Sequence, residues 1–340
     1  MLISLRTASA LAALLTAPMV AFAEPAPGYA IVDRIAGADG SWDYASLDTA
    51  GGRVYVARGN AIMAIDLATH KVTDALAPAN GAHSVFAIDG GRTVVETDGR
   101  SGTTRFIDAA TGQVQNEVPT GQKPDAAVYD PATKRVVVMS PGNGVVTEID
   151  AASRKVVASF ALPGGLEAAA ATGNGHVFVN LEEAGALAEI DTVAGKVLRT
   201  IKLPGCEGPT GLALVAGGTR AISACANGVA SVTDTANGRV VATLAIDRGP
   251  DFVLADEVRH RAFIPCGASG TLVEIDTASP DSIHVTGRIA TQISARTGAI
   301  DPRDGRIYLP AATLGEPAPG AKRGKPIAGS FVVLVLVPQS

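Results

Sequence analysis

Aromatic side chains are scarce in this chain: eight Phe, five Tyr and one Trp make up 4% of its 340 residues. That is too few for an obvious platform on which sugars or single-stranded bases would stack. No block of five or six basic residues occurs either, and the formal net charge is −5. A mildly acidic surface of this kind repels polyanions, so nucleic acid is not the expected partner. Beyond Ala23 no apolar run is long enough to span a bilayer, and the run from Phe331 to Val337 falls far short of that length. Gly-x-Ser-x-Gly, the P-loop and His-Glu-x-x-His are all absent, which removes the common sequence signs of a hydrolase elbow, a phosphate cradle and a zinc protease. The three cysteines contain no Cys-x-x-Cys pair and have no paired His beside them, so a zinc site built from them is not expected.

What is present begins with a leader. Met1 to Arg6 is a short positive segment, Thr7 to Val20 is apolar, and Ala21-Phe22-Ala23 supplies a small-x-small cleavage site. The expectation is a signal peptide over 1–23, cleavage after Ala23, and a periplasmic or secreted product formed by a single domain over 24–340. Loss of Arg6 leaves 27 basic against 33 acidic residues, a net charge of −6. Cys206, Cys225 and Cys266 then suit an oxidising compartment, with one disulfide and one thiol left over.

The rest of the chain repeats itself. An apolar run ending in Asp, a short turn and a β-branched run recur at almost equal intervals, at Asp66, Asp108, Asp150, Asp191, Asp234 and Asp276. So steady a period means stacked copies of one supersecondary unit. Each copy reads as four short strands. In the first copy these are Trp42–Asp48 (a), Arg53–Ala57 (b), Ala61–Asp66 (c) and Lys71–Ala75 (d), with Gly- and Asn-rich turns between. Seven b strands can be counted, near Val54, Val94, Val136, Val177, Ala221, Ala262 and Ile307. The last copy lacks its d strand, while residues 29–37 read like one. The expected fold is therefore all-β: a seven-bladed β-propeller of four-stranded antiparallel blades, its ring closed by an N-terminal strand that completes the last blade.

Several segments resemble the YncE-like, YVTN-repeat β-propellers of bacteria. They are Ser41-Trp42-Asp43-Tyr44, Arg53-Val54-Tyr55-Val56-Ala57-Arg58-Gly59, Ile65-Asp66-Leu67-Ala68-Thr69, Cys206-Glu207-Gly208-Pro209-Thr210-Gly211-Leu212, Gly249-Pro250-Asp251 and Ala295-Arg296-Thr297. The likeness runs through the mature chain, and Pro280 and a long insertion in repeat seven depart from it. It implies a WD40-like ring whose a strands line a central channel and whose d–a and b–c loops share one face. It implies no activity, because one fold hosts many functions.

On that face the start of strand a is occupied, repeat by repeat, by Asp43, Ser84, Asp125, Glu167, Thr210, Asp251 and Arg296, with Trp42, His83 and Glu207 close by. Two roles are open to the four acids. They can cap loop backbone, as turn aspartates do, or they can form a ligand site. Like charges roughly 8 Å apart repel by about 2 kcal/mol per pair at an effective dielectric near 20. A ring of acids thus calls for Arg296, raised pKa values or a bound cation, and Asp43, Asp125, Glu167 and Asp251 are the candidate oxygen ligands for a divalent ion.

A long Pro- and Gly-rich loop between strands b and c of repeat seven carries Lys322, Arg323 and Lys325, which can fold over the mouth as a lid or remain a surface ornament. Cys225 and Cys266 occupy equivalent places in adjacent blades, which splay apart with radius. Cys206 sits in the loop on the side where Cys225 ends its strand, so Cys206–Cys225 is the favoured bridge and Cys266 the free thiol. The leading functional expectation is an exported, non-enzymatic propeller, monomeric because a closed ring hides its own edges, that binds a small ligand, cation or protein partner at the acidic mouth. The alternative is a lactonase-like hydrolase working through His83, Glu167 and Arg296.

Overall fold

Short β-branched runs separated by glycine turns fold here into antiparallel ladders. The computed structural model describes residues 28–318, 320 and 323–339; the expected signal peptide lies outside these residues. A single 3₁₀ turn, Asp89–Gly91, is the one helical element among the described residues. Everything else regular is strand, arranged in six antiparallel sheets, five of four strands and one of seven.

The repeated Asp marks the register. Arg53 faces Asp66, Thr93 faces Asp108, Arg135 faces Asp150, His176 faces Asp191, Arg220 faces Asp234 and Arg261 faces Asp276, each pair at the same rung of its sheet. The two middle strands of each sheet are largely apolar, as in Arg135–Ser140 and Val145–Asp150. They can be so because neighbouring sheets cover both of their faces. Outer strands such as Lys196–Lys202 instead alternate exposed and partly buried residues, as a half-covered strand should.

The innermost strands lie side by side in a closed circuit. Ala45–Asp48 adjoins the end of Val72–Ile88, which is followed by Ala127–Asp130, Leu166–Ala171, Pro209–Val215, Leu254–Asp256 and Ala299–Ile300, and the last returns to Ala45–Asp48. At the closing seam, Val54, Val56, Met63 and Ile65 of one sheet pack on Tyr308, Phe331, Val333 and Val335 of the other. That second sheet is assembled from both ends of the described chain: Tyr29–Ala36 pairs antiparallel with Val332–Pro338. The N-terminal run is thus a strand, held by buried Tyr29 and Ile35.

Two expected boundaries are corrected. The inner strand of the first repeat begins at Ala45 rather than Trp42, because residues 42–44 leave the regular ladder. There Asp43 N–H donates to Ala57 O at 3.0 Å and Tyr44 N–H donates to His83 O at 3.1 Å. The first outer strand does not stop at Ala75; it runs on as Val72–Ile88 and joins two sets of strands into the seven-stranded sheet. Gly81, at φ 98°, lies where it passes from one ladder to the next, and a Cβ there would come within 3.1 Å of Arg100 N.

A disulfide joins Cys206 and Cys225, whose Cα atoms are 5.4 Å apart, and Cys266 is a buried free thiol.

Candidate functional site

The repeat aspartates and the aspartates at the start of the inner strands share one rhythm but do opposite work. In the c–d turns, Asp66 Oδ1 accepts hydrogen bonds from Ala68 N–H, Thr69 N–H and Thr69 Oγ1 at 3.1, 2.8 and 2.7 Å. Asp108 repeats the pattern with Ala110 and Thr111, and Asp150 with Ser153. These bonds hold the Asp66, Asp108 and Asp150 carboxyls below the usual range. They are turn staples.

The inner-strand acids make no such backbone bonds among the described residues. Two of them have their own carbonyl held from outside, Thr97 Oγ1 donating to Asp125 O at 2.6 Å and Thr297 Oγ1 to Asp43 O at 2.7 Å, and beside a third Thr210 Oγ1 donates to Pro250 O at 3.2 Å. Each bond runs from one repeat to the next, so these acid-bearing segments are tied to their neighbours while the carboxylates are left to meet side chains rather than turn backbone.

Those carboxylates converge. His83 Nδ1 is 2.6 Å from Asp43 Oδ2 and 3.8 Å from Asp125 Oδ1. One potential ligand atom from each of Asp43, His83 and Asp125 lies within 4.8 Å of the others. Asp251 Oδ2 accepts from Arg296 Nε at 2.7 Å, and Arg296 Nη2 donates to Trp42 O at 2.7 Å. Asp125, Glu167, Asp43 and Asp251 all bear electrostatically on the phenol of Tyr44, a buried ring packed 5.4 Å from Phe252. Tyr44 lies beneath the acids and forms part of the wall of a channel cavity of about 350 Å³, with Ser84, Ala126, Ala168 and Phe252.

The cost of gathering the acids is visible in their titration. Burial, reinforced by Asp125 and Glu182, pushes Glu167 up to about 9. Burial and the neighbouring Asp43 raise Asp125 to about 7, against the opposing pull of His83. Asp251 is raised by burial in spite of Arg296. His83 moves up to about 9, chiefly through its hydrogen bond to Asp43. A set of oxygens with one imidazole, held this close, is an arrangement that takes a cation when the cation displaces the His83 proton.

The chain matches the family model described as outer membrane protein assembly factor BamB over residues 101–314. It belongs to that family. No curated protein matches it. Among solved structures it is similar to the WD40 repeats of RRP9 (TM-score 0.76, 13% identity, 92% of this chain and 99% of that one). U3-55K is comparable, with TM-score 0.75, 12% identity and coverage of 92% and 100%. Hydrazine synthase of Kuenenia stuttgartiensis gives TM-score 0.69, 14% identity and coverage of 82% and 94%. At such identities the likeness establishes the β-propeller fold.

In this member of the BamB family the remaining residues singled out from sequence fall as follows. Trp42 is buried at 5% exposure, set 5.5 Å from Phe331 and 5.3 Å beneath the Arg296 guanidinium. Ser84 and Thr210 are buried and bonded, Ser84 N–H to Thr97 Oγ1 and Thr210 Oγ1 to backbone carbonyls. Glu207 is exposed, its N–H bonded to Asn227 Oδ1. Arg323 stands near enough to Asp251 to stabilise its charge; Lys325 is exposed, and Lys322 lies outside the described residues.

Sequence reasoning missed Tyr44 and Glu182. Tyr44 follows Asp43 directly, so its neighbour was its signal. Glu182 stands with Glu183 in a b–c turn, on the face where such turns were expected to meet the acids.

Proposed function

We propose that this is an exported, monomeric, seven-bladed β-propeller without catalytic activity, whose acidic channel mouth binds a small ligand, cation or protein partner. The chemistry of the mouth favours a cation. In this reading the seven-stranded sheet counts as two blades that share Val72–Ile88, and the kinship is with YncE-like propellers inside the broader family. Membership of a family named for outer-membrane protein assembly supports an address beyond the inner membrane, as does the leader over 1–23.

The observation that carries the reading is the close set Asp43, His83 and Asp125, with Glu167 and Asp251 around the same tyrosine. The hydrolase alternative needs His83 as a neutral base. Asp43 holds that imidazole protonated up to about 9, which suits charge balance better than proton abstraction.

The test is thermal unfolding of the purified protein with a panel of divalent cations and small organic cations, beside an Asp125→Asn/Glu167→Gln variant. A ligand at 100 times its dissociation constant stabilises by about 2.7 kcal/mol. A shift present in the native protein and lost in the variant supports the mouth as a binding site. Equal shifts in both, or none with any compound, sink the cation reading.

A further inference from the structure

Next to the acidic mouth, on the far side of Trp42 and Arg296, lies a second concavity of about 420 Å³, within the size range of small-molecule pockets. Trp42, Ile293, Leu314 and Pro326 contribute apolar surface, and Arg296 and Arg323 contribute charge. No carboxylate lines it among the described residues. Its electrostatic character is therefore opposite to that of the adjoining mouth.

The two guanidiniums are not used up by the fold. Arg296 commits Nε to Asp251 and Nη2 to the Trp42 carbonyl, and its Nη1 has no hydrogen-bond partner among the described residues. Arg323 is exposed and makes no ion pair among the described residues. The apolar surface is equally unspent: Ile293 is 60% exposed, although it is a large aliphatic side chain beside a concave wall. Trp42 itself is fixed, its ring between Phe331 and Arg296. Its buried Nε1 has no partner among the described residues but is sealed from solvent, so the recognition of charge in this pocket falls to the arginines.

We propose that this pocket binds a small organic carboxylate with an apolar body. The carboxylate is held by Arg323 and the free edge of Arg296, where guanidinium geometry favours paired hydrogen bonds. The body lies against Trp42, Ile293, Leu314 and Pro326, where its removal from water drives binding. This site takes the charge opposite to the mouth's ligand, so either site can fail without the other.

Trp42 is the only tryptophan in the chain, which gives the pocket its own reporter. The experiment is a titration of the full protein with octanoate, octanol and octylamine, followed by tryptophan fluorescence. Octanoate is expected to produce a saturable change, octanol to bind at least about tenfold more weakly for want of the charge-assisted bonds, and octylamine to produce none. Arg323→Gln should weaken octanoate by about tenfold. Ile293→Asp, an exposed change that leaves the core alone, should abolish binding by placing a carboxylate in the pocket. The proposal is overturned if octanoate gives no saturable change up to millimolar concentration, if octanol binds as tightly, or if both variants bind octanoate like the native protein.

Discussion

His83 Nδ1 is 2.6 Å from Asp43 Oδ2, and the two residues come from consecutive passes of the chain through the channel mouth. Because the carboxylate stabilises the imidazolium, a titration of His83 followed by NMR should show a midpoint near 9 rather than the ordinary 6.5. Asp43→Asn should lower it by at least about one unit. A midpoint near 6.5 in the native protein would remove the ion pair from the account.

The whole protein should lose stability as pH rises from about 5 to 9. Asp125 and Glu167 are both raised in the fold, to about 7 and about 9. Each therefore contributes stability that is complete below its unfolded value near 4 and lost as pH climbs through the folded one. His83, raised to about 9, acts in the same direction between 6.5 and 9. The turn aspartates Asp66, Asp108 and Asp150 have the opposite sign: their lowered values give stability above about 4 that is lost on acidification. The melting temperature should thus peak between about pH 4 and 6, and a profile rising steadily to pH 9 would contradict the crowded mouth.

Asp125→Asn should stabilise the protein above pH 8 while abolishing any cation response. The side chain is about a quarter exposed, so the gain is smaller than its shift alone would indicate, about 1–3 kcal/mol. Denaturant midpoints at pH 5 and pH 8.5 check this, with the two proteins expected to converge at the lower pH.

Thr97→Val keeps the shape of the side chain and removes two hydrogen bonds at once, the one it accepts from Ser84 N–H and the one it donates to Asp125 O. Leaving those backbone groups unpaired should cost about 1–3 kcal/mol. Cation affinity should fall as well, since the tie that positions Asp125 is gone. Unchanged stability would mean that the acid-bearing segments hold their places without the inter-repeat bonds.

Reduction of Cys206–Cys225 should destabilise by about 3 kcal/mol, as expected for a bridge that closes a loop of roughly 20 residues. The partners are 19 residues apart and sit in the apolar cluster with Leu203, Leu212 and Ala221. Melting with and without reductant, and of a Cys206→Ser/Cys225→Ser double variant, should give the same loss.

Local pattern made part of this molecule legible. Arg53–Ala57 has the bounds its β-branched run implies, and the recurrent Asp falls at one register in sheet after sheet because an Asx turn needs it there. The run at 29–37 reads as a strand because it resembles the d strands of the other repeats, and the strand found is Tyr29–Ala36. The site was harder to read, because its side chains come from different repeats and the direction of each is set by neighbours a whole repeat away. Lys-Pro-Asp125 and Gly-Pro-Asp251 look like repeated turn chemistry, yet neither carboxylate bonds turn backbone among the described residues: threonines from the preceding repeat hold Asp125 O and Pro250 O, and the side chains face His83 and Arg296 instead. Trp42 reads as a rim residue and is instead buried, since Phe331, from the opposite end of the chain, supplies the surface that covers it. The merging of an outer strand with the next inner strand into Val72–Ile88 is not legible in sequence, because Asn80-Gly81 between them reads as a turn.

Tyr29 pairs with Pro338 and Ala36 with Val332, so the two ends of the described chain leave the ring at the same corner. Antiparallel hydrogen bonds lie across the strands. A force that pulls these ends apart therefore loads the bonds one rung at a time, from Tyr29 inward, like a zip opened from its tab. A tether at one end alone transmits no tension through the seam. The ring can hang from a single attachment with its closure at rest, but it is at its mechanically weakest when held by both ends.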